Sequence, residues 1–421
     1  MTARRAAPAR WAAPAVLVAL AGCAGAPSGD EPAPAVEFEQ LALEDAAAVD
    51  GVVAATWRLG VEALRTGEEP ASAIVSPSSL VTALAMLAEG APPAAAGPLD
   101  DALGAAGQER TDAVNALQGA LARYGGDPAV LQDDELPRVP MVHAAQQVVV
   151  DDDHELVPDF LDRLRAGYGA GVLRTDLGSS AGIDDLSDWV RQHTGGLVEK
   201  SGIVPDAALV AVLQDAIALA AAWEQPFDAA LTSDETFHVA GDEPVTVPTM
   251  RGMPETVVVE QDGWQAVRLP YTDDLAADVL LPPAGSAAAA DPATADAGAL
   301  AELSAALDEA TPSLVAVRMP VIDLATKLDL LPLLGELGIT GVPYEVVTSG
   351  PAHLGQAVQQ AVLQVDEAGT RAAAVTELGL LESAGPRPEH EVVVDRPFLV
   401  VVRDGTTEWP LFLAAVLDPR G

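Results

Sequence analysis

Val365-Asp366-Glu367-Ala368-Gly369-Thr370-Arg371-Ala372-Ala373-Ala374-Val375-Thr376-Glu377-Leu378-Gly379-Leu380 changes character at its fifth residue. A strand sends alternate side chains to opposite faces. From Thr370 onward, Thr370, Ala372, Ala374, Thr376, Leu378 and Leu380 share one face, which is small at first, then larger, and free of charge. Arg371, Ala373, Val375, Glu377 and Gly379 share the other face, and both charges lie there. That arrangement suits a segment that enters a sheet as a new strand, because its inward side chains must be small where the gap begins to open. Gly369 supplies backbone freedom at the pivot. Taken alone, the run serves equally well as an ordinary half-buried strand or an Ala-rich helix, so the segments around it must decide.

Upstream, Ala73-Ile74-Val75-Ser76-Pro77-Ser78-Ser79-Leu80 reads as a short strand running into a helix. Ser-Pro breaks the strand, and Ser78 and Ser79 suit the helix start. Residues 81–88 are apolar nearly all round, which predicts a buried helix. Helical periodicity marks residues 46–66, parts of 91–135, 156–167, 188–193 and 328–337. Strand patterns mark residues 143–150, much of 236–281, 358–365, 391–395, 398–403 and 411–416. Residues 209–222 fit a central strand, although periodicity does not separate that run from a buried helix. Residues 284–298 predict a low-complexity surface loop. The mixed order of helices and strands predicts an α+β fold.

The 421 residues are 49% apolar, enough for a large core, but only 4% aromatic, so Ala, Val and Leu must fill it. Lys and Arg number 22 against 63 Asp and Glu, a net charge of −41. Such a surface argues against nucleic acid, heparin-like polyanions or anionic lipid bound through a basic patch. The six histidines, at 143, 154, 193, 238, 353 and 390, form no His-x-x-x-His pair. No metal motif, Gly-x-Ser-x-Gly elbow, P-loop or dinucleotide fingerprint is present. The expectation is therefore no metal, no cofactor and no enzyme. At the N-terminus, Arg4, Arg5 and Arg10 precede an apolar run at 11–21 that is too short to span a membrane. It ends in Leu20-Ala21-Gly22-Cys23, which resembles a bacterial lipobox. That likeness implies a lipoprotein signal peptide at 1–22, a diacylated Cys23 at the mature N-terminus, and a cell-surface protein whose membrane contact is the lipid alone. Residues 23–45 then form a flexible tether and 46–421 one folded domain. Cys23 is the sole cysteine, so no intrachain disulfide is expected.

Four segments in order resemble the serpins: Val75–Leu80 continuing to Leu87; Trp223-Glu224-Gln225-Pro226-Phe227-Asp228 with Thr232 and Phe237; the run from Val365 to Ala374; and Arg396-Pro397-Phe398-Leu399 with Arg403-Asp404 and Asp418-Pro419. The resemblance covers residues 46–420. It implies a serpin fold: one domain with three β-sheets, about eight or nine helices and an exposed reactive-centre loop. It also implies a secreted, monomeric serine protease inhibitor. The cleaved loop inserts into the main sheet and traps the acyl-protease. The rival reading is a non-inhibitory serpin acting as a surface binding protein.

On this resemblance the hinge residues are Glu367, Gly369, Thr370, Ala372 and Ala374. The scissile bond follows at a nearly fixed distance from the hinge glycine, because the inserted strand must span the sheet. Counting from Gly369 gives Ser383–Ala384, with Leu380, Leu381 and Glu382 completing the window. Counting back from Pro397 gives a bond near Pro386, so the loop reads about three residues longer than usual, a cheap change for a loop. Ser383 favours elastase-like proteases, Leu381 subtilisin- or chymotrypsin-like ones, and Glu382 a glutamyl-specific one. A Ser-Asn-His cluster commonly underlies the opening sheet in serpins. Ser76 and Ser79 match its serines, while Asp215 stands at the Asn place and Gln359 at the His place. A Gln can donate to an Asp, so an altered network is implied, with Asp215 costly to bury unless satisfied or protonated. Val321 stands where a lysine often pairs with the hinge acid, which leaves Glu367 without its usual partner.

Overall fold

Alternating burial sorts the strands into three large sheets and one hairpin. The computed structural model describes residues 38–67, 70–133, 135–241, 243–370 and 387–420. Cys23, Ala372, Ala374, Leu380, Leu381, Glu382, Ser383 and Ala384 lie outside the described residues. The first sheet joins β1 (Ala73–Val75), β8 (Val258–Gln261), β9 (Trp264–Pro270), β10 (Leu275–Leu281), β18 (Phe398–Asp404) and β19 (Pro410–Val416) in the order β1-β19-β18-β10-β9-β8. Every residue of β10, β18 and β19 is buried, so this sheet forms the centre of the core. The second sheet runs β17 (His390–Val393), β11 (Ser313–Pro320), β6 (Val245–Gly252), β5 (Ser233–Phe237), with β7 (Glu255–Thr256) paired to β11. β13 (Tyr344–Val347) and β14 (Gly350–Ala352) form the hairpin.

The main sheet runs β12 (Ile322–Asp329), β15 (Val358–Val365), β16 (Gly369–Thr370), β4 (Ala211–Ala222), β2 (Met141–Asp151), β3 (Gly171–Thr175). β4 pairs antiparallel with β2 from Met141↔Ala220 to Val150↔Ala211. β12 pairs antiparallel with β15 from Ile322↔Val365 to Asp329↔Val358. Among the described residues these two halves are joined only by β16.

Nine α-helices are found among the described residues: α1 (Val49–Leu64), α2 (Pro77–Ala88), α3 (Pro93–Leu103), α4 (Gly107–Leu121), α5 (Pro158–Tyr168), α6 (Ser180–His193), α7 (Ala287–Ala290), α8 (Ala297–Asp308) and α9 (Leu331–Glu336). α2 lies behind the main sheet and buries Leu80, Val81, Leu84, Ala85 and Met86. α6 covers the other face, where Leu186 and Ile183 pack with Val149 of β2 and Val212 of β4. The expected α+β class and serpin fold agree with this architecture. The packed chain reaches back to Glu39 and Leu41, which hydrogen-bond Asn115 of α4, ahead of the boundary expected at residue 46.

Local expectations change at five places. Residues 209–222 resolve to a strand, because β2 supplies a full ladder of partners. α2 is capped by Ser76 rather than Ser78 or Ser79: its hydroxyl accepts from Ser79 N at 3.3 Å, with Pro77 in the first turn. α6 starts at Ser180, eight residues before the helix read from the sequence, because Ser179 caps it by accepting from Gly182 N at 3.0 Å. α9 starts only at Leu331, since Leu328 belongs to β12. The stretch read as a surface loop at 284–298 instead holds α7, a 3-10 turn at Pro292–Thr294 and the start of α8, and it buries Ala288, Ala293 and Ala295. Three side-chain caps, Ser286, Asp291 and Asp296, order that Ala-rich segment.

Candidate functional site

At the top of the main sheet, β16 is held on both sides. Thr370 pairs with Val365 of β15 and Ala221 of β4, and Gly369 pairs with Ala222. The turn that delivers them is built by Asp366, whose Oδ1 accepts from Ala368 N at 2.8 Å and Gly369 N at 3.2 Å. Gly369 fits because a Cβ there would come within 2.1 Å of the Ala221 carbonyl oxygen. Trp223 braces the turn twice, donating from Nε1 to Asp366 O and from its backbone N to Ala368 O, both at 2.9 Å. Its ring stacks on Tyr271 with centroids 4.3 Å apart. The Tyr271 hydroxyl in turn hydrogen-bonds the Thr370 hydroxyl, and both groups are buried. Burial pushes the Tyr271 phenol upward, so it stays neutral. Glu367 lacks a lysine and instead accepts from the Thr232 hydroxyl, while Phe227 N donates to Glu367 O at 2.8 Å. Val321 donates its backbone N–H to Pro248 O at 3.0 Å.

Below β16, a cavity of about 570 Å³ is lined by β4 residues from Ala211 to Leu219 and β15 residues from Val358 to Gln364. The expected cluster lies at its wall: Ser76, Ser79, Asp215 and Gln359 all border it. They are connected differently from the implied network, however. The Gln359 amide grips the backbone of Ser76, accepting from Ser76 N at 3.1 Å and donating to Ser76 O at 2.7 Å. It therefore extends the edge of β1 as a backbone would, beside Thr326, whose hydroxyl accepts from Ile74 N at 3.0 Å. The Ser76 hydroxyl donates to Leu411 O of β19 at 2.9 Å. Asp215 accepts from its cross-strand neighbour Gln146 at 2.7 Å and from the Ser79 hydroxyl. Sequence reasoning singled out neither Tyr271 nor Gln146; each acts across a sequence separation that carries no local pattern.

The surface of Asp215 that a solvent probe reaches opens onto this cavity, and the carboxyl lies deep in the protein. Desolvation pushes its pKa up to about 7, against the smaller opposing pull of the bonds from Ser79 and Gln146.

A family model described as Serpin (serine protease inhibitor) matches residues 59–419. The chain is similar to Serpin-Z3 of Arabidopsis thaliana, 28% identical over 391 residues that cover 86% of this chain and 95% of the relative. It is similar to alpha-1-antitrypsin 1-1 of Mus musculus at 27% identity, with 82% of each covered. Among solved structures it resembles Arabidopsis AtSerpin1 in its native stressed conformation, with TM-score 0.73, 22% identity and 91% of this chain and 100% of that one covered. It also resembles a thyroxine-binding globulin complex with thyroxine, with TM-score 0.71, 22% identity and 88% and 99% covered. At these identities the solved structures speak for the fold alone.

The raised Asp215 pKa predicts a pH dependence of stability. Folding lifts this group from its ordinary 3.8 to about 7. The stability of the neutral acid is therefore whole below pH 3.8 and is lost as pH rises through about 7. Asp215→Asn keeps an acceptor and a similar volume without the charge. Urea unfolding should find it more stable than the parent by on the order of 2–4 kcal/mol near pH 8, with little difference near pH 4. A gap that does not change with pH would mean that Asp215 does not carry a raised pKa.

Proposed function

The chain belongs to the serpin family, a family of protease inhibitors in general and not of enzymes, and on that premise we propose that it is a secreted inhibitor of serine proteases that acts by loop cleavage and insertion. The observation that carries this reading is the seated β16: the hinge already occupies the first rung between β15 and β4, with the cavity continuing beneath it.

The register of β16 sets what insertion would require. Each residue beyond Thr370 would pair one residue further along β4, which brings Thr376 opposite Asp215 and Leu380 opposite Ala211, the far end of the strand. On the β15 side the same register brings Thr376 opposite Gln359. The uncharged alternation from Thr370 to Leu380 would thus face the cavity wall, and the charged alternation would face away. Some ten new backbone hydrogen bonds at about 1 kcal/mol each contribute on the order of 10 kcal/mol before chain ordering is charged against them. We place the scissile bond just past that span, at Ser383–Ala384, where Ser383 would suit an elastase-like protease and Leu381 a subtilisin-like one. The hinge group Glu367, Gly369, Thr370, Ala372 and Ala374 and the cluster Ser76, Ser79, Asp215 and Gln359 would be the working parts. The acidic surface would speed encounter with a basic protease at low salt. The N-terminal segment supports a lipoprotein anchored at the cell surface through Cys23, with residues 1–22 removed and no membrane contact beyond the lipid.

The second reading is a non-inhibitory serpin that binds a partner at its surface, a role that the same fold serves in a thyroxine-binding globulin complexed with thyroxine. The deciding experiment is incubation with a panel of serine proteases, followed by a denaturing gel. A covalent complex supports inhibition, and cleavage without complex supports the alternative.

Three outcomes are expected. Thr370→Arg must bury a guanidinium beside Tyr271 or expel the hinge, at a cost of about several kcal/mol. It should turn inhibitor into substrate, read as a raised stoichiometry of inhibition, and an unchanged stoichiometry would refute the insertion model. N-terminal sequencing of the small C-terminal fragment should begin at Ala384. A start elsewhere within 381–385 reassigns the recognised residue, and cleavage after Arg387 or outside residues 380–385 rejects the count. Mass spectrometry of native material should find a diacylated Cys23 as the first residue, and an unmodified Cys23 or a retained 1–22 would remove the anchor.

A further inference from the structure

His143 of β2 and His193, the last residue of α6, meet on the helix-covered face of the main sheet. Nε2 of His143 and Nδ1 of His193 are 2.8 Å apart, and the rings lie within 12° of parallel. The indole of Trp189, one turn back on α6, covers His193 at 4.5 Å between centroids. The Gly126 backbone favours a proton on the His143 ring, so we assign the ring N–H to that side and a lone pair to Nε2. Nδ1–H of His193 is then the donor of the neutral pair. A first added proton goes to the outward Nε2 of His193 and strengthens the bond by charge. A second must go to Nε2 of His143, where it sets two N–H donors and two like charges face to face.

We propose that this pair is an acid-labile clasp: it holds α6 on β2 at neutral pH and releases the helix when both rings are protonated. The groups around it offer little to offset the second charge. Asp127, just before the 3-10 turn Pro128–Gln132, acts on His143 and favours its protonation. From β4, His143 faces Ala218, and the 3-10 turn contributes Leu131 and Val130. On α6, Arg191 is paired with Asp188. The C-terminal end of the α6 dipole favours a cation at His193. Burial outweighs it, and burial together with His143 pushes His193 down to about 4, while burial also lowers His143. With His193 lowered from 6.5, the stability of the neutral pair is whole above that pH and is lost as pH falls toward about 4.

Release would matter beyond the helix, because Val190 of α6 and Thr194, Leu197 and Val198 just after it line the cavity between β4 and β15. Only that consequence rests on the inhibitory reading; the clasp itself does not. Hydrogen exchange by mass spectrometry on the full chain at about pH 7 and about pH 4, corrected for intrinsic rates, tests it. Exchange across Ser180–His193 should accelerate at least about tenfold at the lower pH, with β18 and β19 unchanged. His193→Gln can still donate to His143 but takes no proton, so its α6 should stay protected at both pH values. No acceleration in the parent, equal acceleration in His193→Gln, or acceleration that spreads equally to β18 and β19 would each overturn the clasp. If His193→Gln is unfolded at neutral pH by circular dichroism, His143→Gln is read against the same outcomes.

Discussion

The hydrogen bond between Thr370 and Tyr271, with Gly369 laid against the Ala221 carbonyl, is where the two halves of the main sheet are joined. Trp223 ties that contact to the turn before it by stacking on Tyr271 and donating to Asp366 and Ala368. A strand of two residues contributes little by itself, so its seat depends on these side chains. Below it, β4 and β15 border a cavity rather than each other. Along that cavity the facing edges of β4 and β15 are paired by no strand among the described residues other than β16.

The support under that gap is built from other groups than the family pattern implies. Gln359 replaces a ladder partner for Ser76, using both ends of one amide, and so ties β15 to the β1–α2 junction. Asp215, freed from Gln359, is satisfied by Gln146 and Ser79. Protons act in opposite senses on the two faces of the sheet. They neutralise Asp215 at the cavity wall on the α2 side and charge the half-buried His143–His193 pair on the α6 side. In both places burial penalises the charged form, and the sign of the effect follows from whether that form is the acid or the base.

Elsewhere charge is paired rather than avoided. Asp278, fully buried in β10, accepts from Arg268 and Ser304, and Arg403 reaches Asp308 alongside Arg268. Asp404 accepts from Arg123 at 2.5 Å, Tyr124 at 3.0 Å and the Thr407 hydroxyl at 2.7 Å. The Arg403-Asp404 pair legible in the C-terminal signature thus anchors α8 and the 3-10 turn after α4, Ala122–Tyr124, to the core sheet, a structural duty separate from the loop.

Where the period of burial matches the period of the backbone, the sequence by itself determined the element. α1, β15, β18 and β19 fall within a few residues of their patterns, and the uncharged alternation after Gly369 marks a segment suited to a sheet. Four short segments in order were enough for the family and the α+β architecture. Tertiary structure alone decided that residues 209–222 form a strand, since an apolar run takes its conformation from whether a neighbour offers a ladder. It alone decided that the Ala-rich stretch at 284–298 packs inward, because capping side chains and a waiting core outweigh weak local preference. The partners of Thr370, Asp215 and Gln359, and the meeting of His143 with His193, were also decided there. Hydrogen bonds between residues tens to hundreds of positions apart leave no periodic trace in the chain; only folding brings donor and acceptor within reach of one another.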